Sequence, residues 1–135
     1  MNNNIAPAFY GMEYIPKRLT ADATQNVLNT IPRLTKSVVV GGVVTNADDF
    51  IVLPNLAQCP DAHEITILCS AGANFELRTP ASSAEEINSE DCDGTKEYLC
   101  TDTQIVKVVK INNTIGWMAH GYSAIGAVVT AVVPD

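Results

Sequence analysis

The sequence predicts an all-β protein: an antiparallel β-sandwich or small barrel, jelly-roll-like, preceded by an extended N-terminal arm. Three observations carry that reading. Between Phe50 and Pro80, short β-type segments are punctuated by Pro54, Pro60 and Gly72. Two of these segments alternate. Ile65, Ile67 and Cys69 fall on one face with Glu64 and Thr66 on the other, and Phe75 and Leu77 alternate with Asn74, Glu76 and Arg78. A period of two marks a half-buried strand. Finally, seven or eight such segments recur at near-regular spacing with little helical periodicity.

Residues 1–36 read as the arm. Pro7, Pro16 and Pro32 interrupt it, and Phe9, Tyr10 and Tyr14 cluster near its start. Leu19, Ala23 and Val27 share one helical face, so a short helix is expected between Leu19 and Leu28, ended by Asn29 and Pro32. The β-domain, residues 37–135, opens with SVVVGGVVT, where Gly41 and Gly42 mark a bulge or bend. Asn46 to Asp49 is a turn, and strands are expected at Phe50–Leu53, His63–Cys69 and Asn74–Thr79. Pro80 to Ser89 reads as polar loop. A β-branched run from Glu97 to Asn112 follows, then Thr114–His120 and Tyr122–Val133. The last segment, AIGAVVTAVV, is apolar on both faces, as a strand buried on both sides would be. The second side is expected to be another copy of the chain, with Ala124, Gly126, Val128 and Ala131 at the contact.

Composition narrows the function. The chain has 135 residues, 47% hydrophobic and only 17% charged. So few charges on a chain this size suggest that a partner covers part of its apolar surface. A net charge of -7 and a pI near 4.6 argue against nucleic-acid binding. The charge is uneven. Lys17, Arg18, Arg33 and Lys36 against Glu13 and Asp22 leave residues 1–36 at +2, so the remainder carries -9. The arm residues Phe9, Tyr10, Tyr14, Lys17, Arg18 and Arg33 are therefore expected to dock on an acidic surface. The start MNNNIAPAFY has no basic beginning and no apolar core, so a leader peptide is not expected and folding in a cytoplasm is. No apolar run approaches the ~18 residues of a membrane helix.

No motif carries recognisable chemistry. His63 and Cys69 would stand roughly 20 Å apart along one strand, too far to share a zinc ion. Glu90-Asp91-Cys92-Asp93-Gly94 lacks the remaining ligands of a calcium loop and reads as a two-residue turn at Asp93-Gly94. That turn excludes a Cys92–Cys100 disulfide. Cys69, on the apolar face of its strand, reads as a buried thiol. His63 and His120 have no nucleophile motif beside them, and Glu85-Glu86 with Glu90, Asp91 and Asp93 read as a solvated acidic surface. Asn112-Asn113-Thr114 matches the glycosylation acceptor pattern, which is read as accidental without a leader. Trp117 fits either the core of its strand or a subunit contact. No cofactor, no metal and no enzymatic activity are expected.

One order of segments suggests a family. Ile51-Val52-Leu53-Pro54 precedes a polar gap, then Glu64-Ile65-Thr66-Ile67, then Gly72-Ala73-Asn74 and a strand. Downstream come Ile87-Asn88, a Val-rich strand and Gly116-Trp117. From about Val38 to Ala119 this order resembles the small trimeric β-domains of tailed-phage virions: capsid decoration (cement) proteins, head fibres and fibre tips. The resemblance implies a homotrimer on the capsid surface that bridges major capsid protein subunits and is assembled in the bacterial cytoplasm. Its alternative is a fibre-tip domain for a receptor or glycan, which would need exposed aromatics such as Tyr122 and Tyr98.

Overall fold

A computed structural model describes residues 16–41, 48–70, 74–94, 96, 98–101 and 104–123. The strands are β1 (Lys17–Leu19), β2 (Ser37–Val40), β3 (Phe50–Val52), β4 (Glu64–Cys69), β5 (Phe75–Arg78), β6 (Glu86–Ile87), β7 (Glu90–Asp91), β8 (Tyr98–Cys100), β9 (Ile105–Asn112) and β10 (Gly116–Tyr122). A 3-10 turn, Leu56–Gln58, is the helical element among the described residues. The all-β expectation holds. A seven-stranded sheet runs β1-β2-β4-β9-β10-β6-β7, and a three-stranded sheet runs β3-β5-β8.

Both sheets are mixed, where antiparallel pairing was expected. β1, β2 and β4 are parallel neighbours in the large sheet, and β3 and β5 are parallel in the small one. The cause is the path of the chain. It alternates between sheets: β2 in the large, β3 in the small, β4 in the large, β5 in the small. Each return to a sheet therefore runs in the same direction as the visit before. This two-sided coil is then closed by antiparallel strands, β9 on β4 and β8 on β5, with β10 antiparallel to β9.

Alternation places the core. In the large sheet, Val38, Ile67 and Val106 sit in register, as do Ile65, Val108 and Ala119, and all are buried. Ile51, Phe75, Leu77, Tyr98 and Cys100 face them from the small sheet within one hydrophobic cluster. The strict alternation read for β4 is observed. In β5 it is not: Glu76 is buried at 6% exposure, because Arg78 folds back to pair with it and lies over the Phe50 ring at 4.3 Å. Trp117 is fully buried, so of its two readings the core one is observed.

Residues 16–36, read from sequence as part of an extended arm, form the first turn of the coil. β1 pairs with β2, Leu19 and Ile31 enter the core, and bridges Asp22–Phe50 and Thr30–Val52 lay the connecting segment along β3. The helix expected between Leu19 and Leu28 is not formed. Its polar side chains take the backbone groups a helix would use. Asp22 Oδ1 accepts from the Thr24 amide at 3.0 Å and Asn26 Oδ1 from Leu28 at 2.7 Å. Asn29, fully buried, donates through Nδ2 to the carbonyls of Asp22, Thr24 and Phe50.

The tight hairpin also differs from expectation. Glu86 pairs with Asp91 and Ile87 with Glu90, so the two-residue loop is Asn88-Ser89, both at positive φ. That is the backbone of a type I′ turn, whose twist suits a hairpin. Asp93-Gly94 instead lies on the path from β7 to β8, which belong to different sheets.

Candidate functional site

Eight lysines and arginines are distributed in two equal groups. Arg78 pairs with Glu76, Lys96 with Glu90, Lys107 with Glu64, and Lys110 with Asp61. Lys17, Arg18, Arg33 and Lys36 have no ion pair among the described residues, and all four are exposed. The same stretch shows the most exposed large apolar side chains described: Val27 at 81%, Leu28 at 66% and Leu34 at 54%. On an acidic protein, this is a basic and apolar surface with its charges uncommitted.

The fold places this stretch along one side of the sandwich. β1 is the outermost strand of the large sheet, and residues 22–30 run beside β3, the outermost strand of the small one. β1 owes its exposed pair to its short edge position, where basic side chains also discourage strand-on-strand aggregation.

The surface continues onto the outer face of the large sheet. Register sets Arg18, Val39, Leu68, Ile105 and Tyr122 side by side across β1, β2, β4, β9 and β10. Four strand spacings make this row about 19 Å long. Leu68 is 37% and Ile105 42% exposed, and Val39 and Tyr122 are half-buried. The next row is polar: Ser37, Thr66, Lys107 and His120. The His120 ring meets Tyr122 edge-on at 5.4 Å.

Of the residues expected to meet a partner, Lys17, Arg18 and Arg33 are thus brought to one side of the molecule. Phe9, Tyr10 and Tyr14, and the expected subunit contact at Ala124, Gly126, Val128 and Ala131, lie outside the described residues. Sequence reading missed the apolar row, because Leu68 and Ile105 belong to strands whose other faces already explained their apolar content. Val27 was assigned to a helix face, and the structure leaves it in solvent.

All four cysteines are buried thiols. Burial raises the Cys100 thiol well above its usual range, helped by a hydrogen bond with Cys69. His63 is buried just before β4, and its Nε2 lies 2.9 Å from the Thr35 carbonyl. A carbonyl only accepts, so Nε2 carries the proton. No cluster of metal-binding side chains occurs among the described residues. Tyr98, which a glycan-binding tip would expose, is 2% exposed, with its hydroxyl pKa pushed to about 12 by burial. In the Glu90–Gly94 segment, Glu90 is held by Lys96 at 2.5 Å and Asp91 accepts from the Asp93 amide at 3.3 Å.

Comparison with known proteins gives no match, whether to a family model, a curated protein or a solved structure.

Proposed function

We propose that this chain is a structural virion component, a decoration or cement protein that trimerises on a phage head and clamps neighbouring major capsid subunits. One observation carries the reading. The four exposed, uncommitted cations and the three most exposed apolar side chains of the described residues share residues 17–36. A surface of that chemistry fits an acidic, apolar-bordered patch on a shell, with charge guiding the approach and apolar burial holding the contact. Covering the row from Val39 to Tyr122 removes on the order of 200 Å² of apolar surface, roughly 5 kcal/mol per copy before ordering costs. Three linked copies multiply that hold by avidity.

The test is co-sedimentation with assembled, undecorated capsid shells, with oligomeric state followed by light scattering. The wild type is expected to be a trimer that pellets with shells. Val27→Glu/Leu28→Glu and Arg18→Glu/Arg33→Glu are expected to stay folded by circular dichroism and remain in the supernatant. Equal pelleting of wild type and both variants would overturn the reading. Removing residues 1–36 is unsuitable, since it deletes β1 and Ile31 from the fold; removing residues 1–15 tests the rest of the segment. The fibre-tip alternative loses Tyr98 to the core, and specific signal on a glycan array would restore it.

A further inference from the structure

Cys69 is the last residue of β4 in the large sheet, and Cys100 is the last of β8 in the small one. Alternation turns both side chains inward. Cys69 follows Ile65 and Ile67 on the buried face of β4, and Cys100 follows Tyr98 on that of β8. Facing sheets stand about 10 Å apart, whereas the Cα atoms of a disulfide lie ~4.4–6.8 Å apart. At this end, however, the sheets converge. The chain leaves β8 at Cys100 and enters β9 at Ile105. Within that short turn the Gln104 amide donates to the Thr101 carbonyl at 3.3 Å, and the Gln104 carbonyl accepts from the Cys69 amide at 3.0 Å. The Gln104 side chain adds a second tie, its Oε1 accepting from the Thr101 amide at 3.5 Å. Gln104 thus fastens the end of β4 to the end of β8.

Across this corner the two thiols hydrogen-bond to each other. The other cysteines sit elsewhere. Cys59 follows the 3-10 turn, and Cys92 follows β7 with its Sγ 4.0 Å from the Ile87 carbonyl. A buried cysteine by itself is an ordinary small apolar filler. Two thiols brought together from different sheets, 31 positions apart in the chain, are a pair with its own chemistry. Access to the pair is one-sided. Cys69 is 6% exposed and Cys100 is fully buried, so a reagent in solution meets Cys69, and Cys100 meets only Cys69.

We propose that Cys69 and Cys100 are a redox pair that closes into a disulfide between the two sheets, with a small-molecule disulfide of the glutathione type as the oxidant. The Cys69 thiolate attacks one sulfur of oxidised glutathione. The S–S bond of the reagent breaks, one glutathione thiolate leaves, and a mixed disulfide forms on Cys69. The Cys100 thiolate then attacks the Cys69 sulfur, and the second glutathione thiolate leaves. The two departing thiolates take up the two protons that the cysteines release. The cysteine pair loses two electrons, and one glutathione disulfide is reduced to two thiols. Burial keeps Cys100 largely protonated, so the second attack is the slow one and the mixed disulfide accumulates before closure. The closed bridge encircles the chain from Cys69 to Cys100 and restricts the unfolded state. Nothing in this pair draws on the docking surface of residues 17–36, so each reading stands or fails separately.

The experiment incubates the native full chain with oxidised glutathione, then alkylates the remaining thiols after denaturation. The expected product has lost two hydrogens and carries two alkylated cysteines where the reduced chain carries four. Its peptide map joins Cys69 to Cys100, and its Tm is higher by about 5–10 °C. Cys59→Ala/Cys92→Ala should form the same bridge. Cys100→Ala should stop at one glutathione on Cys69, and Cys69→Ala should leave Cys100 reduced. The proposal is overturned if the native chain keeps four thiols at a glutathione ratio that oxidises its urea-unfolded form. It is equally overturned if the bridge maps to Cys59 or Cys92, or if the bridged protein melts no higher than the reduced one.

Discussion

Lys110→Met is the sharpest test of how the core tolerates a charge. The lysine is 3% exposed on β9, in register with Trp117, at a position where alternation demands a core residue. Methionine keeps the stem and removes the ammonium. The Cys59 carbonyl then loses the Lys110 donor inside the protein, at about 1–3 kcal/mol, and the Leu56 carbonyl is left with the Cys59 amide alone, at about 0.5–1.5 kcal/mol. Asp61 is 68% exposed, so its pairing at 3.3 Å contributes little. Against this, the variant is spared the cost of holding an ammonium out of water. The balance is about 2–3 kcal/mol of destabilisation, or roughly 6–12 °C in Tm for a chain of this length. Urea unfolding followed by Trp117 fluorescence measures it. Amide exchange localises it: Gln58 and Cys59, which donate to Asn55 O and Leu56 O, should exchange faster. A variant as stable as wild type, or unchanged exchange at those two amides, would show that Lys110 does not pin the 56–61 loop.

Three further outcomes are expected. Gly116→Ala should destabilise by about 2–4 kcal/mol, since the residue sits at φ +86° and a Cβ would lie 2.5 Å from the Glu86 carbonyl; a thermal melt within 1 kcal/mol of wild type would contradict the packing. Arg78→Ala should cost about 2–3 kcal/mol, mostly by stranding buried Glu76, and Glu76→Gln in the same background should recover part of it in urea melts. Glu85 gives a pH signature. Its folded pKa is raised, so the folded state holds the proton more tightly, and stability falls as pH rises from the unfolded value of 4.5 through the folded one. Glu85→Gln removes that slope, and its advantage over wild type should grow across this window; a gap constant with pH would refute the burial effect.

Strand identity was legible where one face alone is buried. Ile65, Ile67 and Cys69 announced β4, because their neighbours Glu64 and Leu68 reach solvent. Pairing direction was not legible, since a strand's own pattern is the same whether its neighbour runs parallel or antiparallel. Only the alternation of the chain between sheets decides it. Partners in space also override local signals. Glu76 reads as an outward polar position and Lys110 is a charge at an inward one, yet Arg78 and two loop carbonyls allow them inside. Asn88-Ser89 took the hairpin from the stronger-looking Asp93-Gly94, because Ile87 must lie beside Trp117. The basic excess of residues 1–36 was visible as a charge count. That its described cations are the unpaired ones, and that Cys69 and Cys100 meet across two sheets, are facts of three-dimensional placement.

The alternating coil also sets an order for folding as the chain leaves the ribosome. β2, β4 and β5 each pair with a strand synthesised earlier, and β3 is bridged by Asp22 and Thr30 before it, so the first half can wind up rung by rung. It then stops with β4 and β5 presenting open edges, because β9 begins about 36 residues after β4 ends, several seconds of synthesis at roughly 5–20 residues per second. During that pause the nascent protein resembles an unfinished stack with a sticky last layer. Variants that slow release of the C-terminal third should therefore lower soluble yield without altering the stability of the finished molecule.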